Sequence, residues 1–232
     1  MDFAKFWRHL RRAIIDFVAC LGLLASVGVP AQQTAATSAD GDPDDAARQI
    51  DRFIAEVSDL SASFEQTLLD GDGGLIDEPA TGQFLLLRPN RFLWHQTTPY
   101  EQIIDADGES VWAYDVDLEQ VNRYPLSDLE DSPAMLLSGA INVADRYEVR
   151  AVDKDDGLRW VELTPLDAVN SEFLSASIGF DEANVPVALQ LVDGLNQVTS
   201  IRFTDIDVNS GLTTDRFAFV PPPGVDVVGE GR

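Results

Sequence analysis

Along most of the chain, apolar and polar residues alternate in short runs broken by Asp, Gly and Asn, a period of two that predicts β-strands. From Ser61 onward the runs are ASFEQTLLD, GQFLLLR, RFLWHQ, EQIIDAD, SVWAYD and EQVNRYP, separated by DGDGG, RPNR, DADGE and DVDLE. Later come RYEVRAVD, LRWVELTP, EFLSASIGFD, VPVALQLVDG and QVTSIRFTDIDV. About eleven short strands at near-regular spacing predict an antiparallel meander, curled into a barrel or part of one.

Two segments break this period. PDDAARQIDRFIAEVSDL puts Ala46, Ala47, Ile50, Phe53, Ile54, Val57 and Leu60 on one helical face. Asp42 suits its N-cap, Pro43 its first position, and Asp44 and Asp45 the positive end of its dipole. Midway, SDLEDSPAMLLSGAINVADR, Ser127 to Arg146, has helix-start chemistry at Ser127 and Ser132-Pro133, then the apolar set Ala134, Met135, Leu136 and Leu137 before Gly139. A short helix is expected there, so two helices must pack against one curved sheet. The tail FAFVPPPGVDVV reads as an extended segment lying along an edge.

The N-terminal 31 residues read as an export signal to be cleaved. Lys5, Arg8, Arg11 and Arg12 precede the apolar run FVACLGLLASVGV, which is too short to span a bilayer, and Val29-Pro30-Ala31 places cleavage after Ala31. Residues 32–42 form a polar leader, and 43–232 a single domain. Cys20, the only cysteine, falls inside the signal, so the mature chain has no disulfide. Phe17-Val18-Ala19-Cys20 also loosely resembles a lipid-attachment site, although the apolar run continues well past the cysteine.

Charge narrows the partners. With 40 acidic against 16 basic residues the net charge is -24, which argues against nucleic acid or an anionic membrane surface as a partner held by charge. Salt adaptation and simple drift both account for such acidity. At 45% apolar residues the chain nevertheless has the material for a substantial core.

No catalytic constellation emerges. After removal of the signal His95 is the one histidine and no thiol remains, so a Ser-His pair would rest on His95 alone; an imidazole on the polar face of a strand is the plainer reading. Acidic doublets such as Asp70/Asp72, Asp105/Asp107 and Asp205/Asp207 lack EF-hand spacing and read as turn chemistry, so no metal and no cofactor is expected. What stands out is apolar surplus. Phe84 and Leu86 share a strand face with Arg88 while Leu85 and Leu87 take the other, so this strand is covered on both sides. Ordinary core and an unfilled sheet interior that accepts an apolar ligand both fit.

The blocks GQFLLLRPNRFLWH and DGESVWAYDVDLEQV, the segment SPAMLL and the closing FAFVPPPGV, in this order, resemble the LolA family of periplasmic lipoprotein carriers. The resemblance covers essentially the whole mature chain. It implies a mainly β fold, an incomplete, half-open antiparallel barrel whose concave apolar cavity is lidded by helices. It also implies a monomer in the periplasm that performs no chemistry, accepts triacylated lipoproteins from the inner-membrane transporter LolCDE and delivers them to the outer-membrane receptor LolB. Carried over by motif, Arg88 is the latch that hydrogen-bonds backbone carbonyls of a lid helix containing Pro133, Ala134, Met135, Leu136 and Leu137. Phe84, Leu86, Phe92, Trp94 and Trp112 are the expected lining. Rival readings are a related half-barrel of different lipid role, such as an anchored acceptor like LolB if Cys20 is lipidated, and an envelope hydrolase.

Overall fold

The computed structural model describes residues 43–129, 133–139, 143–169, 171 and 173–229. The expected signal, leader, Cys20, Asp42 cap and Ser132 lie outside these residues. The first helix, α1 (Pro43–Glu56), is followed by β1 (Asp59–Leu69), β2 (Ala80–Leu87), β3 (Arg91–Thr98), β4 (Gln102–Asp107), β5 (Ser110–Asp115) and β6 (Gln120–Pro125). A 3-10 turn at Leu126–Leu129 leads to α2 (Pro133–Ser138) and α3 (Val143–Arg146). Then come β7 (Tyr147–Val152), β8 (Arg159–Pro165), β9 (Ser175–Phe180), β10 (Pro186–Val192), β11 (Val198–Val208), a 3-10 turn at Thr214–Phe217 and β12 (Asp226–Val228).

All twelve strands form one sheet in the order β12-β6-β5-β4-β3-β2-β1-β11-β10-β9-β8-β7. The two ends, β12 and β7, do not pair with each other, so the sheet is an open half-barrel. Every pairing is antiparallel except that of β12, whose three residues run parallel to β6. The eleven expected runs each contain a strand. The twelfth comes from the tail expected along an edge.

Cross-strand register separates two faces, because directly opposed residues point the same way. On one face Leu60, Ala62 and Phe64 of β1 stand beside Leu86, Phe84 and Gly82 of β2, and Phe84 and Leu86 beside Trp94 and Phe92 of β3. The face continues through Ile104 and Ala106 to Ala113 and Val111 on one side. On the other it passes Phe203, Ile201, Leu189, Ile178, Val161 and Leu163 to Val149. Most of these residues are buried, and α1 covers the far part of the face through Phe53, whose ring meets that of Phe180 at 6.0 Å. This is the inner face. Gly82 is required there: a Cβ would strike the carbonyl oxygen of His95 on β3.

The outer face is covered by the C-terminal segment. The turn Thr214–Phe217 lies against β3 and β4 with Phe217 buried, and Phe219 meets Trp112 at 6.0 Å and Tyr114 at 5.8 Å. Asp105, opposed to Leu93 and Trp112, is on this face and only 3% exposed. Burial, with Asp107 adding repulsion, pushes its carboxyl up to about 7, and among the described residues Asp105 Oδ1 has no hydrogen-bond partner.

The helical pattern of α1 runs on to Leu60, but the helix stops at Glu56. Asn209, just beyond β11, decides this: its Nδ2 donates to Glu56 O at 2.9 Å and its Oδ1 accepts from Ser58 N at 2.8 Å. A residue far away in sequence thus supplies the C-terminal cap, and Asp59 and Leu60 enter the sheet instead.

Candidate functional site

The β2–β3 turn carries Arg88 to the junction of α1 and α2. Its Nε donates to Val57 O at 2.7 Å, immediately after α1, and its guanidinium lies 4.8 Å from the centre of the Phe53 ring. Burial draws the guanidinium down to about 10, so it remains charged at neutral pH. Both Nη atoms are buried with no hydrogen-bond partner among the described residues. Nη1 sits beside Gly139, the residue that follows α2: a Cβ on Gly139 would lie 2.6 Å from Arg88 Nη1 and 2.9 Å from Ile54 Cγ2. With φ at +70°, Gly139 ends the helix in the left-handed conformation, and its lack of a side chain lets Arg88 and Ile54 close in.

Beside this junction α2 is an apolar plug. Met135, Leu136, Leu137 and Ser138 are all buried, and Ser138 Oγ donates to Met135 O at 2.8 Å. Pro133 and Ala134 belong to the helix, but their side chains lie outside what is described. The helix approaches β3, the strand of Phe92 and Trp94.

Among the expected lining residues Phe84, Leu86, Phe92 and Trp94 share the inner face. Trp94 stacks on Phe64 at 3.9 Å, and both Trp94 and Phe203 lie against Phe84 at 5.6 Å. Trp112 is a correction. It is opposed to Asp105, not to Ile104, so it points outward, where its Nε1 donates to Asp107 Oδ2 at 3.1 Å and Arg123 stacks on its ring at 4.9 Å. Its small neighbours Val111 and Ala113 take the inner positions. The bonding of Arg88 also differs from expectation: its described hydrogen bond goes to the exit of α1, not to a carbonyl of α2.

Sequence reading missed Val57 and Phe53 as partners of Arg88, and Ile54 as a neighbour of Gly139. The helical spacing placed all three on the apolar face of α1, but nothing local in the sequence brings that face to the β2–β3 turn.

No group of three or more His, Cys, Asp or Glu able to hold a metal occurs among the described residues. His95 Nε2 lies 2.9 Å from Glu101 Oε1 on a partly exposed surface, so this imidazole is paired with a carboxylate. Chemically, the arrangement offers an apolar face, a short apolar helix beside it and a buried cation at their junction.

The sequence profile of the family described as "Outer membrane lipoprotein carrier protein LolA" matches residues 55–220. The chain belongs to the LolA family. An outer-membrane lipoprotein carrier protein of Methylibium petroleiphilum is 37% identical over 187 residues, covering 80% of this chain and 90% of that one. One from Nitrosomonas europaea is 35% identical over 184 residues, covering 79% and 88%. Among solved structures, an uncharacterized conserved protein of Thermus thermophilus has a TM-score of 0.52 at 12% identity, covering 81% of this chain and 98% of that one, a likeness of fold alone. Membership in the LolA family makes this chain a carrier and not an enzyme, and the plug-and-seam geometry is to be understood in that light.

Proposed function

We propose that the chain is a periplasmic chaperone that shelters the acyl chains of triacylated lipoproteins, receiving them from LolCDE and passing them to LolB. The observation that carries this reading is the continuous apolar inner face, which runs from Val111 on β5 to Val149 on β7 and is covered by helices rather than by a second sheet. At about 0.8 kcal/mol per buried CH2, exposing long acyl chains to water costs on the order of tens of kcal/mol, so a diffusing lipoprotein needs such a shelter. Exchange between two apolar shelters is nearly balanced, and small affinity differences then set its direction.

Arg88 is proposed as the latch of the cover. Its bond to Val57 O ties the exit of α1 to the sheet, and its Nη1 rests against Gly139 at the end of α2. Entry of an acyl chain displaces α2 and exposes the guanidinium to water. A bound lipoprotein is then held less tightly than the apolar face alone would hold it, which favours onward delivery.

The test is purification from a Gram-negative periplasm after loading from LolCDE-containing membranes. Triacylated lipoproteins are expected to co-purify. Recovery of acyl-free proteins alone, or of none, refutes the reading.

A further inference from the structure

Apart from the C-terminal tail, every exposed large apolar side chain among the described residues lies at one end of the half-barrel. Following the antiparallel order, the connections β1–β2, β3–β4, β5–β6, β8–β9 and β10–β11 share that end. They present Leu75, Tyr100, Leu118, Leu166, Val169 and Leu195, with Leu118 65%, Leu195 74% and Val169 92% exposed. The hairpin connections at the opposite end, residues 88–90, 108–109, 153–158 and 181–185, expose no large apolar side chain. Neighbouring tips are about two strand spacings, roughly 10 Å, apart, so they trace an arc along the rim.

Two of these tips stand on built turns. Asp193 Oδ1 accepts the backbone N–H of Leu195 and of Gln197, each at 2.9 Å, and Asp115 Oδ1 accepts that of Leu118 at 3.1 Å. A turn needs no leucine for its geometry, and an exposed leucine held in place loses little freedom on docking. Charge then selects the occupant. The connections 70–79, 99–101, 116–119, 166–174 and 193–197 contain ten Asp or Glu and no Lys, Arg or His.

We propose that this rim is the docking face for a partner protein whose surface sets apolar recesses among Lys and Arg side chains. Such a partner satisfies the tips and the carboxylates together, whereas an anionic bilayer accepts the tips and repels the carboxylates. The proposal deepens the carrier reading on which it rests: the partner is the membrane-bound receptor that takes over the cargo.

The experiment measures binding of the unloaded chain to vesicles bearing LolB and to protein-free vesicles of phosphatidylethanolamine and phosphatidylglycerol. The double variant Leu118→Ser/Leu195→Ser is compared with Glu182→Ser at the opposite end. The double variant is expected to bind the LolB vesicles at least about tenfold more weakly, with an unchanged melting temperature, while Glu182→Ser binds as wild type. Added salt weakens wild-type binding. Equal affinity of wild type and double variant, wild-type binding to the protein-free vesicles as tight as to the LolB vesicles, or self-association through the tips overturns the proposal. Lipoprotein uptake is read separately: its failure in wild type refutes the carrier reading, while binding still decides the rim.

Discussion

Replacing Asp105 by Asn tests the buried carboxyl under the C-terminal segment through the pH dependence of stability. With its pKa raised from 3.8 to about 7, the folded chain holds this proton across a window in which the unfolded chain has released it. The unfolded state binds fewer protons there, so stability falls as pH rises. The contribution is fully present below about 3.8 and lost above about 7. At about 1.4 kcal/mol per pH unit the whole shift amounts to about 4 kcal/mol, which water near the outer face reduces to about 2–3 kcal/mol. An asparagine side chain does not titrate. Its amide meets the same unpartnered surroundings as Asp105 Oδ1, an offset of about 1–3 kcal/mol that does not vary with pH. The informative quantity is therefore the difference between the two curves. Urea unfolding between about pH 4 and pH 8 should show wild type losing about 2–3 kcal/mol more than Asp105→Asn across that range. Parallel curves would refute the reasoning and mean that water reaches Asp105 in the folded chain.

Arg88→Leu should leave melting within about 1 kcal/mol of wild type, because losing the bond to Val57 O is offset by removing two buried, unpartnered Nη atoms. Loading should persist and transfer to LolB slow; normal transfer would return Arg88 to a purely structural role. Gly139→Ala should destabilise by about 1–3 kcal/mol in thermal unfolding, since its Cβ meets Arg88 and Ile54 and its φ is positive. Asn209→Ala removes both bonds that cap α1 and should cost about 1–2 kcal/mol in chemical denaturation, with Asn209→Gly, which keeps the φ of +58°, losing less. Phe84→Ala, at a fully buried position against Trp94 and Phe203, should cost about 3–5 kcal/mol by the same measurement.

The strands were legible because period-two alternation and Asp/Gly/Asn turns are local properties. β12 was not: three residues after a proline-rich stretch carry no period, and their parallel pairing with β6 is set by where the tail arrives. The end of α1 was hidden for the same reason, since Asn209 reaches it only in the folded chain. Trp112 was misplaced because its inward position was carried over from the resemblance, whereas register counted from Phe84 through Trp94 and Ile104 to Ala113 turns the tryptophan outward. Arg88 was conspicuous as a charge ending an apolar run. Its contacts with Phe53 and Val57 join elements that sequence alone does not bring together.

The different construction of sheet and cover bears directly on function. β1 and β2, at the centre of the sheet, are each hydrogen-bonded on both sides, so neither can leave without breaking two ladders. α2 spans six residues, too few for a helix to persist in water without a surface to pack on. Its described attachments include the buried apolar side chains Met135, Leu136 and Leu137 and the junction of Gly139 with Arg88 and Ile54. An acyl chain can replace the apolar contacts almost without loss, because methylene for methylene the burial is the same. What it cannot replace is the fit of a bare glycine against a guanidinium. On the proposed latch, the preference between closed and loaded states rests on that junction more than on the area of the apolar face, so the junction is where substitutions should alter delivery without abolishing uptake.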